Sequence, residues 1–477
     1  MAAAQSVRSR LGRTARKRAL ALAAGFTLRR GAGIVRRMRF ESLLLAFACA
    51  SSAFAVTQTV IVDVIPTKLN KEHQQNSEPN IAVNPANPQQ ILLSAFGSGL
   101  SNNQVYFSND GGTTWKLFQY TTVGDQTLAW SDAGIAYIAE LSPSASRIFV
   151  GKQKKPTAKK HKFRILPKSN FNPSQGGPDQ PWIDAITVDG TDRIYVSFND
   201  LSQAAKTASV RFSLDSGKHW QNEVVEHVTP GAGFNLPPAR VKASGNTVYV
   251  AFERPATFDG FNDPTGDVVI VRDDAGGVNG FNAIGAGVVI AGGVTIPFSS
   301  IGSERIGSDV SVAIDPGNAQ RVAVGYALVV GGTPRVVLSL STNGGANWLQ
   351  VFVGPPNSAM AAAAIAANGT VGLLYTALVG ANLETHFVQS TNSFATNFEQ
   401  LLSRFPDGNP AVTFEPYIGD YIDLVAVGNT FYGTFSASND VSLFPITPTF
   451  VRDQSKLGDT VDFSIDPFFF TTPALAP

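Results

Sequence analysis

The feature that most limits what this chain can become is internal repetition. One pattern recurs seven times: an apolar stretch, a tight turn rich in Gly, Asn or Asp, and a second apolar stretch that commonly ends in an aromatic residue. The copies are NIAVNPANPQQILLSAF from Asn80, LAWSDAGIAYIAEL from Leu128, WIDAITVDGTDRIYVSF from Trp182 and ARVKASGNTVYVAF from Ala239. They continue with DVSVAIDPGNAQRVAVGYA from Asp309, AAAAIAANGTVGLLYTAL from Ala361 and DYIDLVAVGNTFYGTF from Asp420, so starts lie roughly 50–70 residues apart. Turns at Gly190, Gly245-Asn246 and Gly428-Asn429 use residues that tolerate positive φ. Near-continuous apolar strands imply burial on both faces, and no stretch shows sustained helical periodicity.

A second motif closes most copies. SNDGGTTW and SLDSGKHW share Ser108, Asp110, Gly112 and Trp115 with Ser213, Asp215, Gly217 and Trp220. STNGGANW places Asn343 where the others have Asp and keeps Trp348. RDDAGGVNGF retains Asp274 and Gly276, and STNSFATNF retains Ser390, Asn392 and Phe398. A carboxylate clasping turn N–H groups, a glycine at positive φ and an aromatic wedge make a self-contained hairpin turn. These boxes resemble the Asp boxes of the sialidase-like BNR-repeat propellers, and the resemblance spans residues 78–466. It implies an all-β, single propeller of four-stranded antiparallel blades. It also implies that the box residues stand on the outer rim as fold residues. Seven blades fit the copy number; six, the sialidase number, requires one copy to be something else. The strand Thr57–Ile65 and the segment Asp459–Asp466 are expected to share a sheet and close the ring, which removes free sheet edges.

Charge divides the 477 residues unevenly. Residues 1–55 hold 11 of the 37 Lys+Arg and only one acid, Glu41, which leaves 26 Lys+Arg and 35 Asp+Glu, a formal −9, on residues 56–477. A basic head on an acidic body is the pattern of a targeting segment and argues against nucleic acid as a partner. Residues 38–55 have a basic start, an apolar run and Ala53-Phe54-Ala55, the form of a signal peptide cleaved before Val56. Residues 1–37 form a basic extension, either upstream of a true start at Met38 or an elongated leader in which Arg36-Arg37 precedes the apolar run. A lipoprotein reading through Cys49 fits the flanking residues poorly. The run is too short to remain as a membrane span, so a secreted or periplasmic monomer is expected. Cys49 is the only cysteine, and the body carries no thiol or disulfide.

Propellers bind ligands where their innermost strands begin, at the mouth of the central channel. Polar residues just ahead of those strands are Glu78, Asp179, Arg240, Asp309, Glu415, Tyr417, Asp420 and Tyr421, with Arg305 nearby. Glu78, Asp179, Arg240, Arg305 and Asp309 are candidates for ligand binding. Glu415, Tyr417, Asp420 and Tyr421, in FEPYIGDY, form the densest cluster and the candidate catalytic set. The structural alternative is that each merely solvates the channel or caps a strand.

The resembled sialidases use three arginines, a Tyr–Glu pair, an Asp and an F/Y-R-I-P motif before the first box. Here residues 56–107 contain no arginine, and FRILP (Phe163–Pro167) follows the first box with an extra Leu. A bidentate guanidinium is not replaced by Lys68 or Lys71. The leading reading is therefore a secreted propeller that binds a carbohydrate or protein surface without chemistry. The alternatives are a sialidase-like glycoside hydrolase working through mouth carboxylates and an extracytoplasmic assembly factor. The basic run Lys152–Lys168, with eight Lys/Arg in seventeen positions, is either a polyanion dock or a solvated loop. Asp259, Asn262, Asp263 and Asp267 offer Ca²⁺ oxygen ligands at loop spacing but lack the D-x-D-x-D-G pattern, so no metal or other cofactor is assigned. No serine elbow, phosphate loop or dinucleotide fingerprint occurs.

Overall fold

The two apolar stretches of each copy form the inner strands of a four-stranded antiparallel sheet, and the box turns the chain from the third strand to the fourth. The computed structural model describes residues 58–477 except 70–74, 98–102, 122–123, 143, 145, 155, 157–161, 172–176, 259–261, 308 and 453–462. The expected leader, with Cys49 and the cleavage point at Val56, lies outside the described residues. Seven such sheets, blades 1 to 7, make the propeller. Their innermost strands are Asn80–Val83, Thr127–Trp130, Pro178–Val188, Leu236–Ser244, Val310–Asp315, Ser358–Ile365 and Asp423–Val427. Among the described residues the one helical element is a 3-10 turn, Val441–Leu443. No helix there is long and apolar enough to cross a membrane.

Blade 7 is built from both ends of the body. Val60–Asp63 forms its outermost strand, paired antiparallel with Ile465–Pro473 from Val60↔Thr471 to Asp63↔Phe468. The C-terminal partner therefore lies later than the expected 459–466. The apolar run Phe468-Phe469-Phe470, fully buried, is what makes it a strand packed on both faces. Phe469 meets Trp115 of blade 1 at 5.4 Å between ring centroids, and Phe470 meets Phe387 of blade 6 at 5.4 Å. The free edge of Val60–Asp63 is covered as well. Thr449 N donates to Ile61 O at 2.8 Å, and Asp63 N donates to Phe450 O at 3.0 Å. Arg452, wholly buried, is ion-paired to Asp466 at 2.8 Å.

The box turns share one geometry. Ser108 Oγ accepts from Gly112 N at 2.9 Å and donates to Asp110 Oδ1, which accepts from Thr114 N at 2.9 Å. Ser213 with Asp215 and Gly217, Ser341 with Asn343 and Gly345, and Ser390 with Asn392 and Phe394 repeat it. In blade 4 the clasping carboxylate is that of Asp273, which takes the N–H groups of Ala275 and Gly277, whereas Asp274 turns outward to Arg272. Trp115, Trp220, Trp348 and Phe394 each pack against the preceding blade.

Glycine is required at the second turn glycine because the preceding blade comes so close. A Cβ on Gly112, at φ +89°, would lie 2.2 Å from the Phe469 ring, whereas a Cβ on Gly190, at φ +73°, would meet nothing. Alanine at either site costs on the order of 1 kcal/mol for the left-handed backbone. At Gly112 overpacking adds about 1–3 kcal/mol. Thermal melts are expected to show a clearly larger loss for Gly112→Ala than for Gly190→Ala; equal losses would remove the wedge from the account.

Candidate functional site at the channel mouth

An innermost strand has no strand beyond it, so its channel-side N–H groups need other partners. Side chains of the preceding blade supply them. Asp423 accepts from Ile81 N at 3.1 Å, Asn80 from Leu128 N at 2.7 Å and Thr127 from Ile183 N at 3.1 Å. Asp184 accepts from Ala243 N at 2.8 Å, Asp309 from Ala361 N, and Ser311 from Ala363 N at 3.1 Å. Asp309 is thus a clasp between blades 5 and 6. Burial pushes its carboxyl up to about 7, and that of Asp423 to about 6.

One layer above these clasps the backbone is strained. Glu78, Asp125, Gln180 and Met360 have φ of 52°, 54°, 45° and 63°. Glu78 and Asp125 each lie two residues ahead of an innermost strand. Gln180 and Met360 sit in bulges, between Asp179 and Trp182 and between Ala359 and Ala362. Left-handed backbone in residues other than glycine costs of order 1 kcal/mol or more and concentrates at functional sites. The first three put a carboxyl or amide group at the mouth.

There they meet residues from across the ring. Gln180 Nε2 donates to Asp420 Oδ2 at 3.1 Å, and Arg305 Nη2 binds both oxygens of Asp420 at 2.7 and 2.6 Å. Arg305 is carried by a short hairpin, Ser300–Ile301 and Glu304–Arg305, inserted between blades 4 and 5. Glu304 anchors it by accepting from Ile418 N at 2.5 Å. Arg240 Nη2 donates to Gln180 at 3.4 Å; its guanidinium lies 4.2 Å from the Trp182 ring centroid and 5.5 Å from that of Tyr421. The two rings meet edge-on at 5.5 Å.

This Trp182–Arg240–Tyr421 layer plugs the channel. Beneath it a cavity of about 520 Å³ runs to the turns at Gly245 and Gly428 on the opposite face. Glu78, Asp125, Asp179, Arg305 and Asp420 do not line that cavity; they stand on the mouth side of the plug. Burial, then the charges of Asp125 and Asp420, hold Glu78 well above the usual carboxyl range. Burial, then Asp179, pushes Asp125 to about 7. Burial also raises Asp179 and Asp420, in the latter case against the pull of Arg305. Arg240 is lowered by burial to about 10 and stays charged at neutral pH. Glu78 Oε2, Arg240 Nη1, Arg305 Nε and Tyr421 Oη are buried without a hydrogen-bond partner.

The structure thus gathers Glu78, Asp179, Arg240, Arg305, Asp420 and Tyr421 in one place. Arg240 lies within its strand, since that strand begins at Leu236. Tyr417 is elsewhere: fully buried beside Phe405, its hydroxyl donates to Pro410 O at 2.5 Å. Glu415 is exposed on the loop, where it feels the charges of Arg305 and Asp420. Asp125, Gln180 and Trp182 belong to the site without having been singled out as site residues. The signal for Asp125 is its offset from Thr127, which equals that of Glu78 from Asn80. Asp259 of the loop weighed for Ca²⁺ lies outside the described residues. Asp263 there accepts from Phe298 N and Ser299 N, and Asp267 from Gly293 N, each at 2.9 Å. Among the described residues no group of three or more His, Cys, Asp or Glu is arranged to hold a metal.

No protein-family model and no curated protein matches the chain. Solved structures do. An ulvan lyase of polysaccharide lyase family 25, bound to a GlcA–Rha3S saccharide, superposes with a TM-score of 0.49 at 13% identity, over 84% of this chain and 98% of that one. An α-L-arabinanase of Penicillium chrysogenum, complexed with arabinobiose, gives 0.41 at 11% identity over 86% and 97%. Sqt1 of Chaetomium thermophilum gives 0.42 at 13% identity over 85% and 98%. The likeness is one of fold.

The raised carboxyls make stability depend on pH. In the unfolded chain an aspartate titrates near 3.9. With folded values of about 7 for Asp125 and Asp309 and about 6 for Asp423, the folded protein binds more protons between about pH 4 and pH 7. Its stability therefore falls as pH rises through that window. Melting temperature is expected to be higher at pH 5 than at pH 8, with a smaller difference in Asp125→Asn; a rise toward pH 8 would contradict the assignment.

Proposed function

We propose that the plugged mouth recognises a carbohydrate without cleaving it. The observation that carries this reading is the set of partnerless buried atoms above the plug: donors on Arg240 and Arg305, an acceptor on Glu78 and a hydroxyl on Tyr421. Sugar hydroxyls both donate and accept, so a mixed set beside an aromatic ring suits a polyol better than an ion of one sign. The plug favours a ligand seated on the face over one threaded through the ring. The strained positions support the same reading, since residues held at positive φ without benefit to the fold are kept for what their side chains reach.

A second reading, acid–base cleavage of a glycosidic bond, is favoured by one further observation. Burial holds Glu78 well above the usual carboxyl range while Asp420 is ion-paired to Arg305, and carboxyl groups in unlike environments are how such enzymes separate acid from base. Leaving-group protonation would then fall to Glu78, and activity would fade as pH rises past its raised pKa.

Glycine at the two left-handed carboxyl positions separates function from fold. Glu78→Gly and Asp125→Gly relieve the backbone and remove buried carboxyls, so melting temperature is expected to hold or rise. Glycan-array binding is expected to drop by about tenfold or more, the loss of one or two hydrogen bonds from buried carboxyl groups. A lowered melting temperature with binding intact would assign both residues to the fold. Turnover of fluorogenic glycosides by the unaltered protein, abolished in Glu78→Gln, would select the hydrolase reading.

A further inference from the structure

On a body of formal charge −9, one strip of the outer rim has the opposite sign. The outermost strand of blade 2, Arg164–Ile165, pairs with Gly151 and Lys152, and Gln153 Nε2 donates to Lys162 O at 2.7 Å. This segment leans on blade 3. Leu166 lies against the box turn there, close enough that a Cβ on Gly217 would approach it to 2.6 Å. Arg211 donates to Lys168 O at 2.6 Å and Ser169 O at 2.9 Å, with its guanidinium 5.4 Å from the Trp220 ring centroid. Lys154, Lys162, Arg164 and Lys168 of blade 2 and Lys218 of blade 3 therefore share one strip, and all five are exposed.

None of the five forms an ion pair with a described carboxylate. The neighbouring Lys152 does, with Asp192, and elsewhere in the body so do Lys242, Arg254, Arg272, Arg305, Arg321, Arg404 and Arg452. The carboxylate of the adjoining turn, Asp215, is taken by His219 and by the N–H groups of Lys218 and His219. Lone cations crowded together repel one another, so five of them left without ion pairs on one strip are set to meet an anion from outside.

We propose that this strip binds a linear anionic polysaccharide lying along the rim between blades 2 and 3. Five cations spread over two blades suit a chain with one anion every sugar or two. Duplex DNA, with a charge about every 1.7 Å, would bring surplus negative charge against the acidic body. A planar anionic membrane would meet that acidic surface too. The strip lies on the outer hairpin of blade 2 and the box turn of blade 3 and the mouth beside the innermost strands, so this site stands whether or not the mouth binds a glycan.

The test is retention of the full chain on immobilised dextran sulfate, with uncharged dextran as control. The unaltered protein is expected to bind dextran sulfate alone and to be released by salt. Lys154→Glu/Arg164→Glu/Lys218→Glu is expected to bind at least about tenfold more weakly, with a shallower salt dependence and an unchanged melting temperature. Should that variant melt early, Lys162→Gln/Lys168→Gln serves, with a smaller loss expected. Retention of the charge-reversed protein at full strength would overturn the proposal. So would absence of binding by the unaltered protein, or tighter binding to duplex DNA or anionic vesicles at equal charge concentration.

Discussion

The rest of this structure depends on how a ring of sheets satisfies its inner edges. A sheet placed radially has one strand against the axis, with N–H groups facing no further strand, and a buried unpaired N–H costs about 1–3 kcal/mol. Here one or two polar side chains from each of five blades reach sideways to the next, through Asp423, Asn80, Thr127, Asp184, Asp309 and Ser311. The same bonds that satisfy the edges set the angle between neighbouring blades. They also account for a channel wall that is polar without being reactive, because the clasping groups are occupied.

At the outer radius the linkage is apolar. Box turns drive Trp115, Trp220, Trp348 and Phe394 against the preceding blade, and the glycine beneath each of the first two lets the contact close. Blade 7 joins the two kinds of linkage. Its phenylalanine run fills both of its junctions, while the buried Arg452–Asp466 pair and the Thr449–Phe450 segment cover the N-terminal strand that closes the circle. With both radii held, loops at the mouth are free to carry strain. Glu78, Asp125 and Gln180 hold it beside buried polar atoms of Glu78, Arg240, Arg305 and Tyr421 that have no hydrogen-bond partner.

Much of this was legible in the residues. Seven copies of a strand–turn–strand pattern give seven blades, because each copy is a pair of apolar strands that cannot bury both faces alone. Closure by the two ends of the body follows from the same need. The site was legible only in part. Glu78, Asp179, Arg240, Arg305, Asp420 and Tyr421 were found by their place ahead of or near the start of an inner strand. Asp125 and Gln180 were not, because a left-handed residue or a bulge redirects a side chain in a way alternation does not reveal. Tyr417 was drawn to the cluster by proximity in sequence, but the loop folds back so that its ring enters the core. In blade 4 the clasp belongs to Asp273, one residue before the expected acid, since an aspartate takes the place of the usual serine there.

The ring rests most directly on the clasps, and native-state hydrogen exchange of the channel-side amides reads them one by one. Ile81, Leu128, Ile183, Ala243, Ala361 and Ala363 are expected to exchange as slowly as amides inside the sheets, and Ala243 to lose that protection selectively in Asp184→Ala. Exchange of these amides at the rate of a solvent-exposed strand edge would contradict the ring described here.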